Sequence, residues 1–193
     1  MEEQLISGEE RAISEGNESS AEYFVISVRK LWKLYVLTFG IYALYWFYIN
    51  WKLQKPFMKE SIMPVPRAIF YVFYTHSLFD RISDSLASKK IQYKFNAGIM
   101  ATAFIVLVLL GNFAGQLADM SEFPAYISIV WLVTFLLSVY PLEEAQDAVN
   151  ILSDDPLGLG NSKYSRGNII AMVIGGVLWA LVLLGVVAVI LEK

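Results

Sequence analysis

Residues 97–117, AGIMATAFIVLVLLGNFAGQL, form an apolar stretch with no charged side chain. As a helix with 1.5 Å rise per residue it would be about 31 Å long, which matches the hydrocarbon thickness of a bilayer. Two further stretches, 124–140 (PAYISIVWLVTFLLSVY) and 169–191 (IIAMVIGGVLWALVLLGVVAVIL), would be about 25 and 34 Å long. The sequence therefore predicts an all-α polytopic membrane protein with three firm transmembrane helices.

The composition of the 193 residues also favours a membrane location. Apolar residues make up 56% of the chain and charged residues 17%, whereas soluble domains carry about 25% charged residues. Cysteine is absent and His76 is the single histidine, which argues against disulfide scaffolds, thiol catalysis and the usual zinc sites. The three stretches hold no acidic, basic or histidine side chain, although ion-coupled transporters usually keep an ionisable residue there. We therefore expect no catalytic residue, no cofactor and no metal site.

Basic residues are distributed unevenly between the connecting segments. Residues 52–94 contain eight lysines and arginines, residues 142–168 contain two, and the short connection 118–123 contains none. Because cytoplasmic loops are enriched in lysine and arginine, we expect the first two segments in the cytoplasm and the connection outside. Residues 1–22 carry seven glutamates against one arginine and are expected to form a disordered acidic tail. We divide the chain into this tail, a membrane-associated segment 23–94 and a transmembrane bundle 95–193.

A fourth apolar stretch, residues 31–51, has basic residues on both flanks, which a simple span would place on opposite sides of the membrane. Gly40 is a candidate backbone break within it, and six of the eleven residues 41–51 are aromatic, as is typical of the membrane interface. We favour two half-helices that turn at Gly40 and return to the same side, or one interfacial helix. A conventional fourth span stays open. The candidate lipid-interface residues are Lys52, Lys55, Lys59, Trp46 and Trp51.

Residues 67–87, which follow two prolines, show the pattern of an amphipathic helix. At a period of 3.6 residues, the apolar side consists of Tyr71, Leu78, Ile82 and Leu86, and the polar side of His76, Asp80, Ser83 and Asp84. Such a helix lies on the membrane surface or packs beneath a helical bundle. The polar side could in principle bind a divalent cation, but a solvated or ion-paired face explains the same residues and is preferred.

Two other motifs have a structural interpretation as well. Glu143, Glu144 and Asp147 could act as acid and base, but no nucleophile accompanies them. We interpret them as stabilising a helix start or pairing with the basic segment 52–94. Residues 154–160 contain a Gly-x-Gly, yet Lys163 stands where a dinucleotide fingerprint has its third glycine, and no strand precedes the motif. We interpret this segment as a flexible cytoplasmic loop.

Small residues occur four positions apart in two of the predicted spans. Small side chains let two helices approach closely, so these positions are candidates for helix packing. Contacts inside one chain are preferred over contacts between protomers, and both stay open. The candidates are Gly111, Gly115, Gly175, Gly176 and Ala180.

Several short motifs lie in the N-terminal half: 24–27 (FVIS), 38–42 (TFGIY), 45–51 (YWFYINW) and 66–70 (PRAIF). They resemble an uncharacterised family of bacterial multi-pass membrane proteins, a domain of unknown function with a T-x-G-I-Y-x-x-Y-W-F-Y-x-N-W aromatic block. The resemblance is strongest over residues 24–70. It implies a bacterial inner-membrane location, and it supplies neither an activity nor catalytic residues.

The function predicted from these features is a non-enzymatic membrane interaction or scaffold protein, whose basic and aromatic N-terminal half contacts the cytoplasmic leaflet. Its partners would be membrane lipids and either another membrane protein or further copies of the chain, with no nucleic acid. The first alternative is a small channel or solute permease. The second is an enzyme that acts on lipid through carboxylates near the inner interface.

Overall fold

The computed structural model describes residues 22–118 and 127–191, with side chains described as far as residue 184. The described residues exclude most of the predicted acidic tail, of which only Glu22 is included. They also exclude most of the connection 118–123, of which only Ala118 is included. Two short 3₁₀ turns, Lys55–Phe57 and Leu159–Asn161, accompany the helices. The helices are α1 (Val28–Leu37), α2 (Ile41–Gln54), α3 (Pro64–Ile69), α4 (Tyr71–Ser88), α5 (Ala97–Ala118), α6 (Ile127–Leu137), α7 (Val139–Leu152) and α8 (Arg166–Leu191).

Three helical segments are long and apolar enough to cross a membrane, which confirms the prediction from hydropathy. They are Ala97–Ala118, Ile127–Leu152 and Arg166–Leu184. The second segment continues past residue 140, where the sequence predicted its end, because α6 and α7 follow each other with a single turn residue, Ser138, between them. Pro141 accounts for this turn, since it has no N–H to donate to the carbonyl of Leu137.

Residues 31–51 do not form one helix. Helix α1 ends at Leu37, and both Phe39 (φ 52°) and Gly40 (φ 82°) adopt the left-handed conformation before α2 begins. The Gly40 N–H donates to the carbonyl of Tyr35 at 2.8 Å and the Phe39 N–H to that of Val36 at 3.2 Å. These two hydrogen bonds form a Schellman motif, which stops a helix and satisfies its last carbonyls. The helix is therefore interrupted at residues 38–40, which include the candidate break Gly40.

The chain reverses at this break, so that α1 and α2 form a hairpin. An extended segment, residues 22–27, precedes α1 and lies against the end of α2. The Phe24 N–H donates to Asn50 Oδ1 at 3.0 Å, and Gln54 Nε2 donates to the Glu22 carbonyl at 2.9 Å. An uninterrupted helix over 31–51 would instead separate its two ends by about 30 Å. Both flanks of the hairpin therefore lie at the same end of the protein.

An aromatic core joins the base of this hairpin to α4 and α7. Trp46, Phe47 and Trp51 of α2 and Phe79 of α4 are fully buried. The ring of Trp46 contacts Phe47 and Phe79, and the ring of Phe47 also contacts Tyr71 and Phe104. The ring of Trp51 contacts Tyr74 of α4. The predicted apolar side of α4 is confirmed, because Leu78, Ile82 and Leu86 are buried while the polar side is mostly exposed. The helix begins at Tyr71, since Phe70 interrupts it after α3.

The turn of the hairpin packs against the middle of α8. Phe39 stacks on Trp179 with ring centroids 4.5 Å apart, and Trp179 Nε1 donates to the Val36 carbonyl at 2.9 Å. At Gly175 the two backbones approach so closely that an added Cβ would lie 1.6 Å from the carbonyl oxygen of Leu37. Only glycine fits at this crossing.

We expect Gly175→Ala to lower the free energy of unfolding by about 1–3 kcal/mol, because α8 must move away from α1 to admit the methyl group. The neighbouring variant Gly176→Ala is a matched control, since an added Cβ there meets nothing within 4 Å. We expect that variant to be neutral or to gain up to about 1 kcal/mol from helix propensity. Thermal unfolding of the detergent-solubilised variants measures both, and equal losses would contradict the packing described.

Candidate functional site

The extended segment before α1 is held by side-chain amides from three parts of the chain. The Phe24 carbonyl accepts from Gln146 Nε2 at 3.0 Å, and the Val25 carbonyl accepts from Asn161 Nδ2 at 2.9 Å. Together with the bonds from α2, these contacts pair the backbone as a neighbouring strand would. We call this set the amide clamp, formed by Asn50, Gln54, Gln146, Asn150 and Asn161.

Asn150 bonds to both backbone polar groups of Ile26, its N–H and its C=O. Its Nδ2 donates to the Ile26 carbonyl at 3.0 Å, and its Oδ1 accepts from the Ile26 N–H at 3.4 Å and from Gln146 Nε2 at 2.8 Å. Gln146 Oε1 in turn accepts from Trp46 Nε1 at 2.5 Å. All four residues are fully buried. Removal of the Asn150 amide would therefore leave the buried N–H and C=O of Ile26 without the partner they have here, and removal of the Gln146 amide would do the same to Trp46 Nε1.

Lys30 ties the start of α1 to the loop before α8. Its side chain is only 3% exposed, yet its Nζ donates to Asn161 Oδ1 at 2.7 Å, to the Lys163 carbonyl at 2.6 Å and to the Asn161 carbonyl at 3.4 Å. An ammonium has three donors, and three oxygen atoms accept them. Burial lowers the pKa of Lys30 from its ordinary value, whereas the three acceptors favour the charged form.

A second anchor joins the extended segment to α4. The Tyr23 hydroxyl and Ser85 Oγ are 2.9 Å apart, and Ser85 Oγ donates to Glu22 Oε1 at 2.9 Å. Lys89 forms a salt bridge with Glu22 at 3.1 Å. Burial of Tyr23 raises the pKa of its hydroxyl to about 12, so this side chain stays neutral at physiological pH. The segment is therefore fixed at its beginning as well as along its backbone.

The other end of the hairpin, the turn at residues 38–40, also has its polar groups bonded. Thr38 Oγ1 donates to the Leu34 carbonyl at 2.6 Å and accepts from the Tyr42 N–H at 3.0 Å, so one hydroxyl links the end of α1 to the start of α2. The Tyr35 hydroxyl lies 2.7 Å from Ser138 Oγ at the turn between α6 and α7. A cavity of about 230 Å³ beside the turn is lined mainly by apolar and aromatic side chains of α1, α2, α5 and α6.

The predicted lipid-interface residues fall into two groups. Lys52, Lys55 and Lys59 are exposed. Trp46 and Trp51 are fully buried, so the structure corrects their assignment to the lipid interface. Their aromatic rings fill the core: Trp46 bonds to the amide clamp, and the Arg67 guanidinium stacks over the Trp51 ring at 4.4 Å.

The small residues proposed for helix packing also have different surroundings. Gly111 and Gly115 of α5 face α6, where an added Cβ would lie 3.0 Å from Thr134 Oγ1 and 3.1 Å from Trp131 Cδ1. Gly175 faces the end of α1, as described above. Gly176 meets nothing within 4 Å, and Ala180 is exposed.

The sequence offered pairing with the basic segment 52–94 as one role for the acidic residues of α7. The structure shows no such ion pair among the described residues. Among residues 22–118 and 127–184, the one salt bridge is that between Lys89 and Glu22. Glu143 Oε2 instead accepts from Trp32 Nε1 at 2.7 Å. No group of acidic or histidine residues in these ranges is arranged to bind a metal ion, and the imidazole of His76 lies 3.1 Å from Thr102 Oγ1.

The loop that was interpreted as flexible is bonded and packed. Both carboxylate oxygens of Asp155 accept backbone N–H groups, from Leu159 at 2.9 Å and from Gly160 at 2.7 Å. Gly158 has φ 61°, and an added Cβ there would lie 2.4 Å from the backbone of Ile26. The glycines of this Gly-x-Gly therefore serve a turn and a close approach to the extended segment.

Sequence reasoning missed the amide clamp and Lys30. Asparagine and glutamine are common on surfaces, and their spacing has no period that identifies a shared target. A signal was nevertheless present, because Asn50 lies within an aromatic block and Gln146 and Asn150 lie one turn apart on a predicted helix. A polar amide in an apolar setting needs a buried partner.

Comparisons with known protein families, curated proteins and solved structures found no match to this chain. The resemblance to a bacterial membrane family stays a prediction.

We expect Asn150→Ala to lower the free energy of unfolding by at least about 2 kcal/mol, because the N–H and C=O of Ile26 both lose their buried partner. Asn112→Ala is the matched control, since within residues 22–118 and 127–184 the exposed Asn112 bonds only to the Val108 carbonyl of its own helix. This variant should change stability by less than about 0.5 kcal/mol. Denaturant unfolding measures the loss, and chymotrypsin cleavage after Tyr23 measures release of the segment. Unchanged cleavage in Asn150→Ala would contradict the clamp.

Proposed function

We propose that this chain is an integral protein of a bacterial inner membrane and works as a non-enzymatic membrane interaction or scaffold protein. In this proposal the α1–α2 hairpin enters the bilayer from the cytoplasmic side, turns at Gly40 and returns to that side. The observation that carries the proposal is the position of the two flanks of the hairpin, which meet at the Glu22–Gln54 hydrogen bond while the turn packs against the middle of α8.

Helix lengths support a re-entrant hairpin. The ten residues of α1 extend about 15 Å, which is half of the bilayer hydrocarbon thickness of about 30 Å. Trp179, which contacts the turn, lies ten residues after Ile169, the first apolar residue of the third span. This places the contact about 15 Å along the apolar part of α8. The turn would then lie near the bilayer midplane, and neither half-helix of the hairpin would need to cross.

The bonding at the turn supports the same placement. Non-helical backbone is tolerated at membrane depth only where protein shields its polar groups. Here the carbonyls of Leu34, Tyr35 and Val36 accept from Thr38, Gly40 and Trp179, so the end of α1 is bonded by the protein itself. In a turn exposed to water, solvent could bond to the Val36 carbonyl, and the indole of Trp179 would not be needed as its donor.

Exposed apolar residues supply the surface for lipid. Along α8, large side chains such as Val173, Ile174 and Val177 are more than half exposed, as expected for a helix that faces hydrocarbon. A second exposed set lies near the base of the hairpin, at Met63, Val65, Ile69, Phe70 and Phe73. The exposed lysines 52, 55 and 59 lie in the last turn of α2 and directly after it, and each would gain about 1 kcal/mol beside an anionic leaflet. The N-terminal half would thus contact the inner leaflet through these apolar residues and lysines.

Cysteine labelling in intact cells tests the topology, because the natural chain has no cysteine. Single cysteines are introduced at Ser19, Ser61 and Ser121 and treated with a membrane-impermeant maleimide. We expect Ser19→Cys and Ser61→Cys to react only after the membrane is opened, since a re-entrant hairpin leaves both flanks in the cytoplasm. Ser121→Cys, in the connection between the first two spans, should react at once.

The outcome that would contradict the proposal is labelling of Ser19→Cys in closed cells while Ser61→Cys stays protected. That pattern requires residues 31–51 to cross the bilayer. Purification from native membranes tests the scaffold function separately: a stable partner supports it, and solute flux through the purified protein in proteoliposomes without any partner would overturn it.

A further inference from the structure

A cleft of about 680 Å³ opens between the start of α1, the middle of α7 and the loop 156–164. Sites for small ligands usually have volumes of about 300–1,000 Å³. The walls of this cleft carry charges of both signs, with Arg29 and Lys33 on α1 and Glu143 and Asp147 on α7. The amide clamp and the hairpin turn use none of these four side chains.

The opposite charges of the cleft do not neutralise each other. No nitrogen of Arg29 or Lys33 comes within salt-bridge distance of a carboxylate in the described parts of the chain, where Lys89 and Glu22 form the one ion pair. The third cation of the cleft, Lys30, already donates to three oxygen atoms of the loop. The charges of Arg29 and Lys33, and those of Glu143 and Asp147, are therefore available to bind a ligand.

The walls of the cleft are fixed before any ligand binds. Trp32 Nε1 holds one oxygen of Glu143 at 2.7 Å, and the bonds of Lys30 hold the loop against α1. The ring centroid of Tyr164 lies 5.9 Å from the Nζ of Lys30 and 5.9 Å from the Nζ of Lys33. A site whose walls are already ordered loses less entropy on binding.

We propose that this cleft binds the headgroup of a phospholipid that carries both a phosphate and a primary ammonium group, as phosphatidylethanolamine does. Arg29 and Lys33 bind the phosphate oxygens through charge-assisted hydrogen bonds. The ammonium donates to Glu143 and Asp147. This inference rests on the proposed function, because it needs the start of α1 to lie at the cytoplasmic membrane surface.

The arrangement of charges decides between headgroup classes. A purely anionic headgroup would satisfy the two cations but leave two carboxylates facing a negative ligand. A quaternary ammonium has no N–H to donate, and binding sites for it use several aromatic faces, whereas this cleft offers the one ring of Tyr164. A primary ammonium beside a phosphate matches both walls.

The surroundings of the cleft favour a lipid over a free headgroup. Leu157 and Leu159, which line it, are 70% and 64% exposed, so they can contact acyl chains. Tyr164 lies two residues before Arg166, where the third candidate span begins. The cleft therefore opens at the level where headgroups meet hydrocarbon in the proposed topology.

Native mass spectrometry of the intact detergent-solubilised protein tests the site. We expect phosphatidylethanolamine to be retained in preference to phosphatidylglycerol and phosphatidylcholine. Lys33→Gln and Asp147→Asn should each weaken its binding roughly tenfold, since each removes a hydrogen bond to a charged group. The matched controls are Lys94→Gln and Asp80→Asn, which change exposed residues outside the cleft. Thermal unfolding verifies that all four variants remain folded.

Three results would overturn the inference: equal retention of phosphatidylglycerol, equal retention of phosphatidylcholine, or cleft variants that bind as the controls do. Competition by soluble glycerophosphoethanolamine at the same concentration as the lipid would also overturn it, because the acyl chains would then add nothing. The cysteine labelling described above is an independent readout. If it places Ser19 in the cytoplasm and the cleft variants bind like the controls, the headgroup site fails while the proposed function stands.

Discussion

Backbone polar groups that are buried outside regular helices must be bonded within the protein, and the arrangement of the N-terminal half depends on that constraint at two places. Two non-helical segments are involved, residues 22–27 and residues 38–40. The first is bonded by side-chain amides of α2, α7 and the loop before α8. The second is bonded by a Schellman motif, a threonine hydroxyl and the indole of Trp179.

These two sets of contacts act together. The amide clamp fixes where the chain enters α1, and the turn at Gly40 fixes where it leaves. The hairpin between them is short enough that α1 reaches only halfway along α8. Gly175 then permits the backbones to touch, and Lys30 joins the same helix to the loop that leads into α8. The result is an N-terminal unit that packs on the spans as a single folded body.

Much of this fold could be predicted from the sequence, because it depends on strong local signals. Long apolar stretches identified the three candidate spans, Gly40 identified the break, and the 3.6-residue period identified the buried side of α4. The contacts that join distant parts could not be predicted in the same way. Asn50 lies far before Asn150 and Asn161 in the chain, and no pattern in the sequence shows that the three converge on one extended segment.

The aromatic block shows why residue type alone did not predict whether a tryptophan lies at the lipid interface or in the core. Tyrosine and tryptophan are typical of membrane interfaces, so Trp46 and Trp51 were predicted there. They are also large enough to fill a core when their N–H groups find partners or a cation stacks on the ring. Gln146 supplies the partner for Trp46, and Arg67 supplies the cation for Trp51. Both partners lie outside the block itself, at positions that only the folded chain brings near.

We propose that the turn of the hairpin lies deep in the bilayer, and site-directed spin labelling measures that depth directly. Ile41 is 66% exposed and follows Gly40, so a nitroxide on a cysteine at this position reports the environment of the turn. Labels at Ile174 of α8 and at Ser61 of the connecting loop serve as references for hydrocarbon and water. A turn near the bilayer midplane should give high accessibility to oxygen and low accessibility to a water-soluble nickel complex at position 41, as at position 174. Accessibility to the nickel complex equal to that at position 61 would contradict it.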